Sequence, residues 1–203
     1  MRRNTREIIL EKAADLIYEQ GFVKASIRDI VRAVNITNST VYIHFKNKNE
    51  ILYTLIQDIG SFLSNELLTV INKYEDPVVC LQQMMYAQIC VLKTKRKLVK
   101  IYIEEQYQLP RDLRKEATSQ HRKMYDMYYN KLCEIEKNHP GCLLPINKTV
   151  MTFSIFAMMN WTYRWFNERG ALNLEEIAEN TVNLLFHGII NKEFLPDEIV
   201  KVL

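Results

Sequence analysis

Apolar positions recur along this chain at helical spacing from its ninth residue, and the breaks between periodic stretches fall on glycine and proline. Ile9, Ala13, Leu16 and Ile17 form one stripe, Ile27, Ile30, Val31 and Val34 a second, and Ile36, Val41 and Phe45 a third. The second and third segments are each only about two turns long, so neither stands alone and all three must share one core. From Lys48 towards Tyr74 the pattern predicts a fourth helix of ~40 Å at 1.5 Å per residue, in which Gly60 marks close packing rather than a hinge. Beyond it, residues 78–92, 98–109, 113–136, 146–168 and 174–194 read as helices, with Pro77, Pro110, Pro140, Gly141, Pro145 and Gly170 at the joints. The fold class is therefore all-α, with an N-terminal three-helix domain over residues 1–50 and a helical C-terminal domain over 51–203.

The local punctuation supports this division. Four helix starts carry an N-cap residue followed three positions later by an acid or a hydroxyl: Asn4 with Glu7, Ser26 with Asp29, Thr37 with Thr40, and Asn47 with Glu50. Gly21 ends the first helix. Asn35 stands in the turn after the second, where the backbone needs a positive φ that asparagine adopts cheaply.

With its apolar stripe turned inward, the third helix leaves Thr37, Asn38, Ser39, Thr40, Tyr42 and His44 facing outward. A surface that is uncharged but dense in hydrogen-bond groups suits base edges and phosphates, and two short helices around a three-residue turn form a helix-turn-helix DNA reader. The stretch from Thr40, Val41, Tyr42, Ile43, His44 and Phe45 through Lys48 to Ile51 resembles the signature of the TetR family of bacterial transcriptional repressors. Two positions depart from it: Ile43 stands where the family usually has a second aromatic, and Ser39 where many members have glycine. The resemblance implies DNA contacts at Ser26, Arg28, Asn38, Ser39, Thr40, Tyr42, His44 and Lys48, with Phe45 and Ile51 in the core.

Charge points the same way. Residues 1–50 hold nine Lys and Arg against six Asp and Glu, whereas residues 51–203 hold eighteen of each, so the whole formal excess of +3 lies in the first domain. Arg28, Lys46 and Lys48 beside the reading helix are placed to neutralise phosphates. No apolar run approaches a membrane span, and the start Met1-Arg2-Arg3-Asn4 leads into an amphipathic helix rather than a signal peptide. Cys80, Cys90, Cys133 and Cys142 show no CxxC spacing, which predicts a cytoplasmic protein with reduced thiols and no metal site. His121, His139 and His187 have no nucleophile at recognisable spacing, and Glu104 and Glu105 diverge by about 100° on a helix. The expectation is neither an enzyme nor a cofactor-binding protein.

The C-terminal domain should then sense a small molecule. Met84, Met85, Tyr86, Tyr102, Tyr107, Met124, Tyr125, Met127 and Tyr128 concentrate thioethers and amphipathic rings on three successive helices, which as a group suits a cavity for a long, partly apolar molecule, although any one of these methionines taken alone reads as ordinary core. The cations Lys93, Lys95, Arg96, Lys97 and Lys100 form either a solvated loop or a phosphate-holding pocket mouth. Met84, Met85, Lys95, Arg96, Lys97, Tyr102, Met124, Tyr125, Tyr128, Trp161 and Trp165 are the candidate effector contacts. Met159, Tyr163 and Phe166 share one face of their helix with Trp161 and Trp165 on another, more apolar surface than one protomer's core requires. Together with Ile177, Leu184, Leu185 and Ile189 on the last helix, they predict a two-fold four-helix seam. This segment looks like the dimerisation region of a TetR subgroup that regulates lipid degradation. That resemblance implies an acyl-CoA thioester as effector. The expectation is a homodimer on a palindromic double-stranded DNA operator, its reading helices ~34 Å or a small multiple apart, released by a small hydrophobic or amphipathic effector. The alternative is a constitutive DNA-binding or architectural dimer with a filled core and no inducer.

Overall fold

The computed structural model describes residues 4–190, over which the chain forms α1 (Thr5–Gln20), α2 (Ile27–Val34), α3 (Asn38–His44), α4 (Lys48–Lys73), α5 (Pro77–Cys90), α6 (Leu92–Glu104), α7 (Arg111–Asn138), α8 (Lys148–Trp165) and α9 (Leu174–Ile189). A 3₁₀ turn, Gln106–Gln108, separates α6 from α7. The expected continuation of the last helix to Phe194 lies outside the described residues, as do the outer ends of the two expected domains. α6 begins six residues earlier than the periodicity indicates, at Leu92, so the cationic run is helical rather than a solvated loop. Helical geometry turns successive residues by about 100° and therefore spreads its cations over several faces.

By packing, the chain divides into two compact units, Met1–Ser61 with Lys95–Gln120, and Phe62–Thr94 with His121–Leu203. In the first, α1 packs on α2 and α3 around Ile9, Ala13, Ile17, Phe22, Ile30, Val41 and Phe45, with Ile51, Leu52 and Ile56 of α4 buried as well. α6 is fastened to α1 by polar contacts. Lys97 pairs with Asp15, Lys100 Nζ donates to the Tyr18 carbonyl at 3.1 Å, and the Phe22 amide donates to Glu105 Oε1 at 3.3 Å. Gly60 is a close-packing position: a Cβ there would lie 3.1 Å from Gln120 Cβ and 3.2 Å from the Tyr102 ring.

In the second unit α5 packs on α9 and α8, and α8 on α9. The core is built from Leu81, Met84, Met85, Tyr128, Leu132, Ile155, Ile177, Val182 and Phe186. A polar chain crosses it. Tyr128 donates to Gln88 Oε1 at 3.0 Å, and Gln88 Nε2 donates to Asn160 Oδ1 at 3.4 Å. Burial pushes the Tyr128 phenol well above its ordinary pKa, so it remains a donor. No helix among the described residues is long and apolar enough to cross a membrane.

Candidate nucleic-acid interface and effector domain

Each element of the reader is fixed by its caps. Ser26 and Asp29 form a reciprocal box: the Asp29 amide donates to Ser26 Oγ at 3.2 Å, and the Ser26 amide donates to Asp29 Oδ2 at 3.1 Å. Hydrogen bonds from Ser26 hold the Asp29 carboxyl below its ordinary pKa. Asn35 adopts φ 59° and ψ 50°, the left-handed conformation expected of the turn. Thr37 opens α3 by accepting from the Thr40 amide at 3.2 Å, and its hydroxyl also contacts Ser39 Oγ at 2.7 Å and Thr40 Oγ1 at 2.9 Å. Asn47 caps the start of α4 through the Glu50 amide at 3.0 Å.

The consequence is a seven-residue α3 whose only buried residue is Val41. Thr37, Asn38, Ser39 and Tyr42 are exposed, while Thr40 and His44 are half-buried. Arg28 and Lys46 are exposed and Ser26 is half-buried, its hydroxyl occupied by Asp29 at 2.6 Å. Lys48 is used differently from its neighbours. Its ammonium donates to the carbonyls of Phe22 and Ala25, both at 2.9 Å, and stands 4.2 Å over the Phe22 ring. It caps the turn between α1 and α2, a role that no local pattern around residue 48 signals because the acceptors lie more than twenty positions away. Ile43, noted in the sequence only as a departure, is 79% exposed on the reading helix and belongs to this surface.

The candidate effector residues are divided between the units. Tyr102, Lys95, Arg96 and Lys97 belong to the first, where Tyr102 is buried, Lys95 and Arg96 are half-buried, and Lys97 is paired with Asp15. Met84, Met85, Met124 and Tyr128 are core residues of the second unit, in contact with protein on all sides. Tyr125 is half-buried, stacked 5.7 Å from Tyr129 and tilted 5.3 Å from Phe153. Lys93, at the head of the cationic run, pairs with Glu175 at 2.5 Å. The second unit does hold a half-open cleft of about 360 Å³ along α4 and α5, lined by Phe62, Val70, Tyr74, Tyr86, Cys90 and Val91 among others. None of the eleven candidate contacts lines it. Cys90 and Tyr86 are hydrogen-bonded on its wall, and burial pushes Tyr86 up to about 12.

α8 presents an apolar stripe at helical spacing. Val150, Phe153, Ala157, Trp161 and Trp165 are all exposed, Trp161 at 56% and Trp165 at 51%, while Met159, Tyr163 and Phe166 are buried on the other side, as their spacing predicts. On α9 the exposed apolar residue is Leu184 at 65%; Leu185, one position on, is 5% exposed and part of the core.

Residues 9–54 match the family model described as bacterial regulatory proteins, tetR family, and residues 74–189 match that of the tetracyclin repressor-like C-terminal domain. The chain is 23% identical over 186 residues to the HTH-type transcriptional repressor KstR2 of Mycobacterium tuberculosis, covering 89% of this chain and 90% of that one. AibR, solved in complex with isovaleryl coenzyme A and operator DNA, superposes with a TM-score of 0.83 at 27% identity, over 90% of this chain and 98% of AibR. A TetR-family transcriptional regulator from Bordetella parapertussis superposes with a TM-score of 0.81 at 26% identity, over 90% and 94% of the two chains. With both of its family models matched in chain order, and a capped helix-turn-helix preceding an all-helical second domain, this chain belongs to the TetR family of bacterial regulatory proteins.

Proposed function

We propose that this protein is an effector-responsive transcriptional repressor that binds a palindromic operator as a homodimer. The observation that carries the reading is α3, a capped helix with one residue inside and a face of hydroxyl, amide, phenol and aliphatic groups outside. Thr37, Asn38, Ser39, Thr40, Tyr42 and Ile43 meet the major groove in this reading, and Ser26, Arg28, His44 and Lys46 meet phosphates. Lys48 acts by holding α4 against the turn between α1 and α2, and touches DNA at most through a remaining edge of its ammonium. Residues 1–50 supply the reader and 51–203 sensing and dimerisation, with the segment from Lys95 to Gln120 carrying the effector signal because it packs in the same unit as the reader.

The apolar stripe of α8 with Leu184 forms the two-fold seam, since a surface of two tryptophans and a phenylalanine is buried most favourably against its own copy. The effector is an amphiphile whose apolar part enters the second unit. The nature of the AibR complex and the cleft along α4 and α5 support a thioester of coenzyme A. A coupling of ~1–3 kcal/mol between the two sites, about 5- to 150-fold in operator affinity, would suffice for release. The second reading, a constitutive dimer, is favoured by one observation: Met84, Met85, Met124 and Tyr128 already fill their core.

The test is a gel-shift assay on an operator selected from randomised duplexes, titrated with acyl-CoA thioesters of increasing chain length. Release that strengthens with chain length supports the first reading, because each buried methylene contributes ~0.8 kcal/mol. Tight operator binding that no thioester weakens supports the second.

A further inference from the structure

Resting on the reading of α3 as the helix that enters the major groove, we infer that Ile43 specifies a thymine in each operator half-site by contact with its 5-methyl group. Successive residues of a helix are turned by about 100°, so Ser39 and Ile43, each two positions from Val41, stand about 160° away from it. Val41 is fully buried, and these two are therefore the outermost positions of α3, one turn apart on a single ridge. Both are exposed, Ile43 at 79%. They are also the two positions at which the chain departs from the family signature. On one flank of the ridge Thr40 and His44 are half-buried, and on the other Asn38 and Tyr42 are exposed. Ser39 Oγ is hydrogen-bonded to Thr37 Oγ1 at 2.7 Å, which ties that hydroxyl to the start of the helix. What the ridge projects furthest is then the aliphatic side chain of Ile43, with neither donor nor acceptor.

A single exposed aliphatic residue on a general protein surface needs no explanation. At the outermost point of a helix that lies in a groove it meets the floor of that groove, and there its chemistry selects. Guanine, adenine and cytosine present only donors and acceptors on their major-groove edges. An aliphatic group set against them strips water from polar atoms without replacing the hydrogen bonds, and against a charged phosphate oxygen the loss is larger. Thymine alone shows the groove an apolar group, and packing its methyl on Ile43 removes apolar surface of both partners from water. A β-branched side chain on a helix is held to one strongly preferred χ1 rotamer, so the contact costs little conformational entropy and is aimed at one base pair.

The test uses the full-length protein and a duplex that it selects from a randomised pool, with deoxyuridine then replacing each thymine in turn. The replacement deletes one methyl group and leaves every hydrogen-bonding atom of the base in place. Anisotropy titration should find one thymine in each half-site at which it weakens wild-type binding about fourfold, the equivalent of ~0.8 kcal/mol for one buried carbon. Ile43→Ala should bind the thymine and deoxyuridine duplexes equally at that position, with its thermal midpoint unchanged because the side chain is exposed. Wild-type binding that no replacement weakens overturns the proposal. So does an Ile43→Ala protein that keeps the fourfold preference, which would assign the methyl to another side chain such as Tyr42. In both results the duplex is still bound, so the DNA-binding reading stands, whereas a wild-type protein that selects no duplex overturns that reading together with this one.

Discussion

α3 and α8 each leave a whole face exposed, and the two faces carry opposite chemistry. α3 offers short hydroxyls, amides and a phenol around one aliphatic residue, Ile43, while α8 offers Phe153, Trp161 and Trp165 in a continuous stripe. A polar surface gains little from meeting its own copy, because its groups are already satisfied by water, and gains most where a partner supplies matched donors and acceptors. An apolar stripe gains from any dry contact and most from one of complementary shape. On the proposed reading the two helices direct the chain to two different partners, DNA and a second copy of itself.

The sharpest way to break the comparison is to place charge on adjacent positions of α9. Leu185→Glu buries an unpaired carboxylate in the core and should give aggregated or unfolded protein, since such burial costs several kcal/mol. Leu184→Glu and Trp161→Glu should instead give folded monomer by light scattering, with operator binding reduced by orders of magnitude. A stable, DNA-competent dimer from both would remove α8 and α9 from the interface.

On the reader, Tyr42→Ala should weaken the operator complex by ~1–3 kcal/mol in an anisotropy titration, with thermal unfolding unchanged because the ring is exposed. Arg28→Gln should lower the salt slope of binding by about one unit. Lys48→Met sharpens the division between contact and scaffold. It removes the donors that serve the Phe22 and Ala25 carbonyls, so it should lower stability by ~1–3 kcal/mol while changing the salt slope less than Arg28→Gln does. Equal slopes would return Lys48 to the phosphate contacts.

A smaller effect is expected at the turn that aims α3. Asn35→Ala puts a Cβ-bearing residue with no compensating side-chain bond at φ 59°, costing ~1–2 kcal/mol by chemical denaturation, and Asn35→Gly should be close to neutral. The smallest is a pH effect in the second unit. Burial holds the His121 imidazole below the ordinary histidine value of 6.5, so as pH falls the unfolded chain takes up a proton before the folded one does. This contribution to stability is complete above pH 6.5 and is lost as pH falls through the unfolded pKa towards the folded one. His121→Leu should flatten the acid limb of the stability profile; an unchanged limb would place the imidazole in solvent.

Much of the reader was legible in the residues themselves. The caps at Ser26, Thr37 and Asn47, the left-handed Asn35 and the inward Val41 and Phe45 are consequences of interactions within four residues along the chain, which is the range over which sequence spacing is spatial distance. The same reasoning separated Met159, Tyr163 and Phe166 from Trp161 and Trp165 correctly. Periodicity could not decide between Leu184 and Leu185, because adjacent residues on an apolar helix differ by one step of rotation and only α5 and α8, packed on α9, fix which one is covered.

Sequence by itself determined the all-α class, the three-helix reader and the outward face of α3, since each rests on local hydrogen bonding and one apolar stripe. Tertiary structure alone decided which cations are spoken for. Lys97 and Lys100 find Asp15 and Tyr18 across some eighty positions of chain, and Lys48 finds carbonyls on the far side of two helices. Long flexible side chains are placed by whatever acceptor the fold brings within reach, and that is a property of packing, which no run of charges along the chain encodes.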